Sequence, residues 1–332
     1  MLQIHFTPED LTKVRVAGSP DPLWETVFSI FRLRYHGPQL IFGKWRRETA
    51  GARRRTDLEV LLPLIPGGYF PDFLTPAEAD EGLEAGLEAL MRTPAERLRR
   101  ELGLLARQRS GLPSWLTPLA TGDRHLLDRV ARAVRAQHDA AVAPIWAEAR
   151  AHVEVDRAKR GRAFLDGGCE GLLRSYLPLM RWNPPVLEID SFRYERTIHL
   201  GGRGLLLVPS YLSWATTDML QDRRLPQVLV YPIEHGVTSL PAGSVAALIG
   251  ATRAAVLEAI DAGRTTSELA RRVGVSDASI SNHTSVLREA GLIRSSRLGK
   301  SVLHTMTPLG LALLERPAVA RPPIISGPPE RG

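Results

Sequence analysis

The sequence predicts an α+β fold class, in which a large mixed N-terminal domain is followed by a smaller C-terminal domain. Up to about residue 160, leucines recur at helical spacing behind helix-start signals. Residues 161–240 contain short β-rich segments, and residues 245–316 contain short helices followed by a pair of strands. Hydrophobic residues make up 44% of the 332 residues, which is enough to build a core in each domain. We therefore place an N-terminal domain at 1–240 and a C-terminal domain at 245–316.

Helix-start signals recur in the N-terminal domain. At Thr7, Thr75 and Thr93, threonine is followed by proline and, one or two positions later, by glutamate, an order that is typical of a capped first turn. Two amphipathic helices are predicted from leucines at helical spacing, namely Leu83, Leu87 and Leu90, then Leu98, Leu102 and Leu105. A longer helix is predicted after Asp123, and another from about Pro144 to Gly161.

Strands are predicted mainly in the second part of this domain. The β-rich segments are Val186–Ile189, Tyr194–Ile198, Leu205–Val208 and Gln227–Tyr231, and Leu58–Leu62 is a further candidate. Gly201–Gly204 precedes one of these segments and is interpreted as a hairpin turn. The prediction is a short antiparallel sheet that packs against the preceding helices.

Composition excludes several classes of protein. One cysteine, Cys169, excludes an internal disulfide framework and a multi-cysteine metal site within one chain. No apolar run approaches the roughly 18 residues that span a bilayer, and the first residues lack the basic flank and apolar core of a signal peptide. We therefore expect a cytoplasmic protein with no membrane contact. The net charge of +7 is compatible with a polyanionic partner.

The C-terminal domain has a coherent local pattern. A first helix carries Val256, Leu257 and Ile260 and ends before Gly263. Thr265-Thr266-Ser267-Glu268 is a capping box that begins a second helix, which ends at Gly274. Ser276 can cap a third helix, in which Ile280, Val286 and Leu287 are predicted to be buried. Two short helices joined by a tight glycine turn form a helix-turn-helix layout.

Two strands follow this layout. Leu292–Arg294 and Val302–His304 are joined by a segment that carries Arg297 and Lys300 at its tip. Such a hairpin is a wing, and its cations are placed to reach phosphates or a minor groove. Thr307-Pro308 begins a last helix, and the proline-rich tail at 317–332 is predicted to be disordered.

These residues resemble the ArsR-type winged-helix repressors. The resemblance rests on Thr265–Ala270, Val275-Ser276, Ser281–His283 and Leu287–Ile293, and it continues through the wing to Thr307. It implies a transcriptional regulator that binds double-stranded DNA. Residues 1–240 resemble an uncharacterised domain that precedes such modules in some bacterial regulators. Two positions depart from the family pattern: Thr284 stands where leucine is usual, and Asp277 where glutamine is frequent.

The expected DNA contacts follow from this layout. Thr265, Thr266, Arg297 and Lys300 are expected at phosphates, and Asp277, Ser279, Ser281 and Asn282 nearest the bases. Ser276, as a base contact, and His283 are further candidate DNA contacts. Ser276 is equally well explained as a pure cap, and His283 either reaches a phosphate or packs beneath its helix. One recognition helix reads few base pairs, so we expect a homodimer on a pseudo-palindromic operator, acting as a repressor.

Metal sensing and catalysis find no support in the sequence. In the family, thiolate sites need cysteines in the second helix, where this chain has Ser267–Val273. No nucleophile elbow, His-Glu-x-x-His motif or phosphate loop is visible, so we expect no enzyme, no metal and no cofactor.

The role of the N-terminal domain stays open at this point. It is a sensor of an unknown small molecule, a dimerisation scaffold or a cryptic enzyme. Four aromatic residues either line a pocket or fill a core: Trp182, Tyr194, Tyr211 and Trp214. The alternative for the winged helix is a protein-interaction module.

Overall fold

The computed structural model describes residues 1–34, 39–52, 55–190, 196–214, 216–235, 244–260, 263–298 and 301–314. The described residues fall into two compact units. The N-terminal unit takes in those of Met1–His36 and Trp45–His235, and the C-terminal unit those of Gly37–Lys44 and Gly236–Ala318. The predicted domain end at residue 240 and the tail at 317–332 lie outside the described residues. The α+β fold class is confirmed.

Helices build most of the first 174 residues. They are α1 (Pro8–Leu11), α2 (Pro22–Arg34), α3 (Gln39–Ala52), α4 (Arg55–Leu64), α5 (Leu83–Met91), α6 (Ala95–Gln108), α7 (Leu116–Ala120), α8 (Arg124–Ala141) and α9 (Trp146–Arg174). Short 3-10 helices cover Asp72–Leu74, Ala77–Glu81 and Ala143–Ile145. The predicted helices after Asp123 and near Pro144 are confirmed, although α9 runs past Gly161 and is interrupted at Gly167 and Gly168.

The strands of the N-terminal unit form two four-stranded sheets. They are β1 (Leu2–His5), β2 (Arg15–Val16), β3 (Arg181–Asn183), β4 (Val186–Ile189), β5 (Arg196–His199), β6 (Leu206–Ser210), β7 (Asp218–Met219) and β8 (Val228–Pro232). The first sheet has the order β3-β4-β1-β5, with β1 antiparallel to β4 and parallel to β5. The second has the order β2-β6-β8-β7, in which β2, β6 and β8 are parallel.

The prediction of one antiparallel sheet is therefore wrong. Strands β1 and β2, from the first 16 residues, pair with strands between residues 186 and 210. Both sheets are mixed, since β1 is antiparallel to β4 and parallel to β5, and β8 is antiparallel to β7 and parallel to β6. Gly201–Gly204 is not a hairpin turn, because it connects β5 in the first sheet to β6 in the second. Gly202 and Gly204 have positive φ values of 82° and 76°, which explains why the connection needs glycine.

Residues 58–62 are helical, so the strand prediction there is wrong. They belong to α4, where Val60, Leu61 and Leu64 are buried and Glu59 is exposed. Short apolar runs do not distinguish a strand from a buried helix face, and here the spacing of buried residues is helical.

Of the three threonine caps predicted in the N-terminal domain, one forms. Thr7 forms the predicted capping box, since the backbone N–H of Asp10 donates to its hydroxyl and the Asp10 carboxylate accepts from the Thr7 N–H. Thr75 and Thr93 do not cap α5 and α6, because both hydroxyls instead bond to carbonyls of preceding residues.

Buried carboxylates anchor the loops of the N-terminal unit. Glu25 on α2 accepts hydrogen bonds from the backbone N–H groups of Tyr211 and Leu212, at 2.6 and 2.8 Å. Asp72 accepts from the N–H groups of Gln221 and Asp222 in the same way. Burial raises the pKa of Glu25 to about 7 and raises that of Asp72. Each carboxylate satisfies two loop donors that would otherwise be buried without a partner.

Of the four aromatic residues singled out in the sequence, two are core residues. Trp182 and Tyr211 are buried, and Trp182 packs edge-on against Phe6 with ring centroids 5.2 Å apart. Trp214 is half-buried, and Tyr194 lies outside the described residues.

Candidate nucleic-acid interface

The C-terminal unit is built from helices around a small core and a three-stranded sheet. Besides the first residues of α3, its elements are α10 (Ser244–Ile249), α11 (Ala251–Ala259), β9 (Arg264–Thr265), α12 (Thr266–Val273), α13 (Asp277–Glu289), β10 (Ile293–Leu298), β11 (Ser301–Met306) and α14 (Pro308–Leu314). The core includes Val256, Leu257, Ile260, Leu269, Ile280, Leu287, Leu292 and Ile293. Val286 was predicted to be buried, but it is 43% exposed because it lies on the outer side of α13.

A glycine turn joins α12 to α13. Gly274 has φ 76° and ψ 34°, the left-handed conformation that ends many helices, and its N–H donates to the carbonyl of Ala270. Ser276 then caps α13, because its hydroxyl accepts from the backbone N–H of Ser279. The predicted glycine turn and serine cap are thus present, and they fix where α13 begins.

The start of α12 is tied to the sheet. The Glu268 carboxylate accepts from both the N–H and the hydroxyl of Thr265, at 2.8 and 2.9 Å. His304 is buried on β11, with Nε2 3.0 Å from the Thr266 hydroxyl and Nδ1 2.9 Å from the Ser295 hydroxyl. Burial lowers the pKa of His304, which keeps the imidazole neutral between two hydroxyls.

A side-chain hydrogen bond also joins α12 directly to α13. The Ser267 hydroxyl donates to the carboxylate of Asp277 at 2.7 Å. The Asp277 carbonyl in turn accepts from the Ser281 hydroxyl at 3.0 Å. Asp277 therefore has a structural role at the first position of α13, whatever else it contacts.

The DNA-contacting residues expected at the third helix all lie on or immediately before α13. Ser276, Asp277, Ser281 and Asn282 are exposed, whereas Ser279 and His283 are half-buried. Thr284, at the position where the family usually has leucine, is only 2% exposed. Its hydroxyl donates to the carbonyl of Ile280, so the buried polar atom is satisfied.

The residues expected at phosphates differ in their exposure and in whether the structure describes them. Arg297 is exposed on β10, opposite Val302 of β11, in the predicted wing. Lys300 lies outside the described residues. Thr265 and Thr266 are half-buried, and their hydroxyls are engaged by Glu268 and His304.

Three exposed arginines were missed in the sequence analysis. Arg271 and Arg272 lie in the last turn of α12, and Arg294 lies on the wing strand β10. Their charge was visible in the sequence, but only the exposed position of each side chain makes it relevant to a polyanion.

The described residues include neither a metal-ligand cluster nor a membrane-spanning helix. No group of three or more histidine, cysteine, aspartate or glutamate side chains is placed to hold a metal ion in the parts of the chain that the structure describes. Within those same parts, every helix is too short or too polar to cross a bilayer.

Comparison with known proteins identifies one region. The model of a protein family described as a helix-turn-helix domain matches residues 250–296, which run from the residue before α11 into β10. No curated protein and no solved structure matches the chain. The C-terminal unit thus contains a helix-turn-helix domain, a module whose usual partner is DNA.

Proposed function

Because residues 250–296 match a helix-turn-helix domain, we propose that the protein is a transcriptional regulator of the ArsR-like winged-helix type. In this proposal it acts as a repressor and binds a pseudo-palindromic operator as a homodimer. The observation that carries the proposal is the exposed face of the first half of α13, whose start is set by Gly274, the Ser276 cap and the Ser267–Asp277 bond.

The side chains on this half of α13 suit the major groove. Ser276, Ala278, Ser281 and Asn282 are exposed and small. A helix with small side chains approaches base edges closely, and polar ones can exchange hydrogen bonds with them. The proposal places α13 in the groove, with Arg297 and Lys300 of the wing at phosphates.

The homodimer follows from geometry. One α13 covers a few base pairs, and a two-fold dimer would present two such helices to half-sites one helical turn apart, about 34–36 Å. The N-terminal unit mediates this dimerisation or senses a small molecule, and the proposal assigns it no catalytic role.

The test is fluorescence anisotropy of the full chain on the DNA upstream of its own gene. Titrations run at low and moderate salt, with and without scrambled competitor DNA. We expect salt-sensitive binding that survives the competitor. Arg297→Ala should weaken it, whereas Arg132→Ala is the matched control, since Arg132 is an exposed arginine on α8 of the other unit. Absence of binding even at low salt would contradict the proposal and favour a protein-interaction module.

A further inference from the structure

The polar side chains along α13 differ in whether the protein itself already uses them. The Ser276 hydroxyl caps the helix, and the Asp277 carboxylate accepts from Ser267. The Ser281 hydroxyl donates to the backbone carbonyl of Asp277. Ser285 is held by Glu289 and Arg288. Each of these groups therefore already takes part in a hydrogen bond within the protein when no ligand is bound.

Asn282 differs from these residues. Its side chain is exposed, and no described residue offers its carboxamide a hydrogen-bond partner. Asparagine is also a poorer helix former than alanine, so it gives α13 no conformational advantage. Neither packing nor capping explains an asparagine at this position.

The place of Asn282 on the helix favours a base contact. It lies four residues after Ala278, so the two residues share one face of α13, and both are exposed. The methyl group of Ala278 lets that face approach a groove floor closely. Arg288, the one arginine within α13, lies in its last turn, away from this part of the face.

We propose that Asn282 is a specificity-determining residue that reads an adenine in the major groove of each half-site. A carboxamide matches adenine, because its oxygen accepts from the N6 amino group while its nitrogen donates to N7. Guanine offers two acceptors at the same edge and does not match this pair of groups. The inference rests on the proposed function and adds the base that the helix selects.

The experiment begins with selection of bound duplexes from a randomised DNA library by the full chain. Each adenine of the enriched half-site is then replaced in turn by 7-deazaadenine, which keeps its pairing but lacks the N7 acceptor. We expect one position at which the replacement weakens binding about tenfold. In Asn282→Ala that replacement should have no further effect, because the partner of N7 is already gone.

Two further variants complete the test. Asn282→Asp keeps the shape but loses the donor to N7, and it should lose the adenine preference as well. Ser285→Ala, on the same helix, should keep the preference of the natural chain. Circular dichroism melting checks folding, and Asn282→Ala should melt no lower than the natural chain because its side chain is exposed.

The outcomes separate the inference from the proposed function. If the natural chain enriches no motif, the proposed function fails and the inference fails with it. If a motif is enriched but Asn282→Ala keeps the same adenine dependence, only the inference is overturned. An equal loss of affinity on all sequences would show a phosphate contact and would also overturn it.

Discussion

The Ser267 hydroxyl and the Asp277 carboxylate, 2.7 Å apart, join the first turn of α12 to the first turn of α13. The bond lies beside the N-terminus of α13, where the helix dipole favours a negative charge. A carboxylate on a face directed at DNA would be repelled by phosphates. The hydrogen bond from Ser267 gives the Asp277 carboxylate a structural role that explains its presence there. It links the two helices on which the proposed reading of DNA depends.

Asp277→Ala should therefore destabilise the C-terminal unit by about 1 kcal/mol, through loss of one hydrogen bond and one favourable dipole contact. Ser267→Ala removes the bond but keeps the charge, so its loss should be smaller. Urea unfolding of both variants measures the two effects. A change in base preference without loss of stability would identify Asp277 as a base contact instead.

The wing should contribute affinity without sequence preference. Arg297→Ala combined with Lys300→Ala should weaken binding about equally on all DNA sequences, because phosphates carry no sequence information. Each lost phosphate contact should flatten the slope of log affinity against log salt by about 0.9. Anisotropy titrations over a salt series measure the slope, with Arg132→Ala as the control. An unchanged slope would exclude the wing from the interface.

Gly310 on α14 should not tolerate a side chain. A Cβ there would overlap the carbonyl oxygen of Leu292 and lie 2.9 Å from Cγ of Met306. We expect Gly310→Ala to destabilise the C-terminal unit by about 1–3 kcal/mol, since backbone must move. Gly103→Ala on α6 is the matched control, because a Cβ there meets nothing within 4 Å. Thermal unfolding should show a gain for that control of about 0.5–1 kcal/mol.

Glu25 should make the stability of the N-terminal unit depend on pH. Burial raises its pKa to about 7 from the ordinary value of 4.5, so between these values the folded chain holds a proton that the unfolded chain releases. Stability should consequently fall as pH rises from 4.5 to 7 and then level off. Asp21 is buried with a pKa of about 7 and acts in the same direction.

Glu25→Gln separates the contribution of Glu25 from that of Asp21. The variant should be less stable, because the two backbone N–H groups donate to different oxygens of Glu25 and one of these becomes an amide nitrogen that cannot accept. Its stability should also change less with pH over this window. Urea unfolding at pH 5, 6, 7 and 8 measures both effects, and equal pH slopes for the two proteins would refute the assignment to Glu25.

The helix-turn-helix was predictable because its determinants are local. Ser276 caps a backbone N–H three residues away, and Gly274 ends α12 through a residue four positions earlier. The engagement of Thr266 was not predictable, because its partner His304 lies 38 residues along the chain. Both residues needed the sheet to bring them together.

The N-terminal unit was predicted less completely for the same reason. The helix α8 followed from its Asp123 cap, and the strand β4 from its composition. The order of the strands depends on β1 and β2, whose partners lie far along the chain. The short run at 58–62 gave no period long enough to separate strand from helix, and burial of one face decided in favour of helix.

The long separation between partners in this unit has a consequence for synthesis. Three early carboxylates accept hydrogen bonds from backbone N–H groups far along the chain. The donor to Asp10 is Gly204, 194 residues later, the donor to Glu25 is Tyr211, 186 residues later, and the donor to Asp72 is Gln221, 149 residues later. The central strand β1 likewise pairs only with strands beyond residue 185. While the ribosome is still adding these partners, the early carboxylates and strands have nothing to bind. A nascent chain that stalls before residue 186 therefore lacks the partners of β1 and β2, and we expect chaperones or proteases to recognise it.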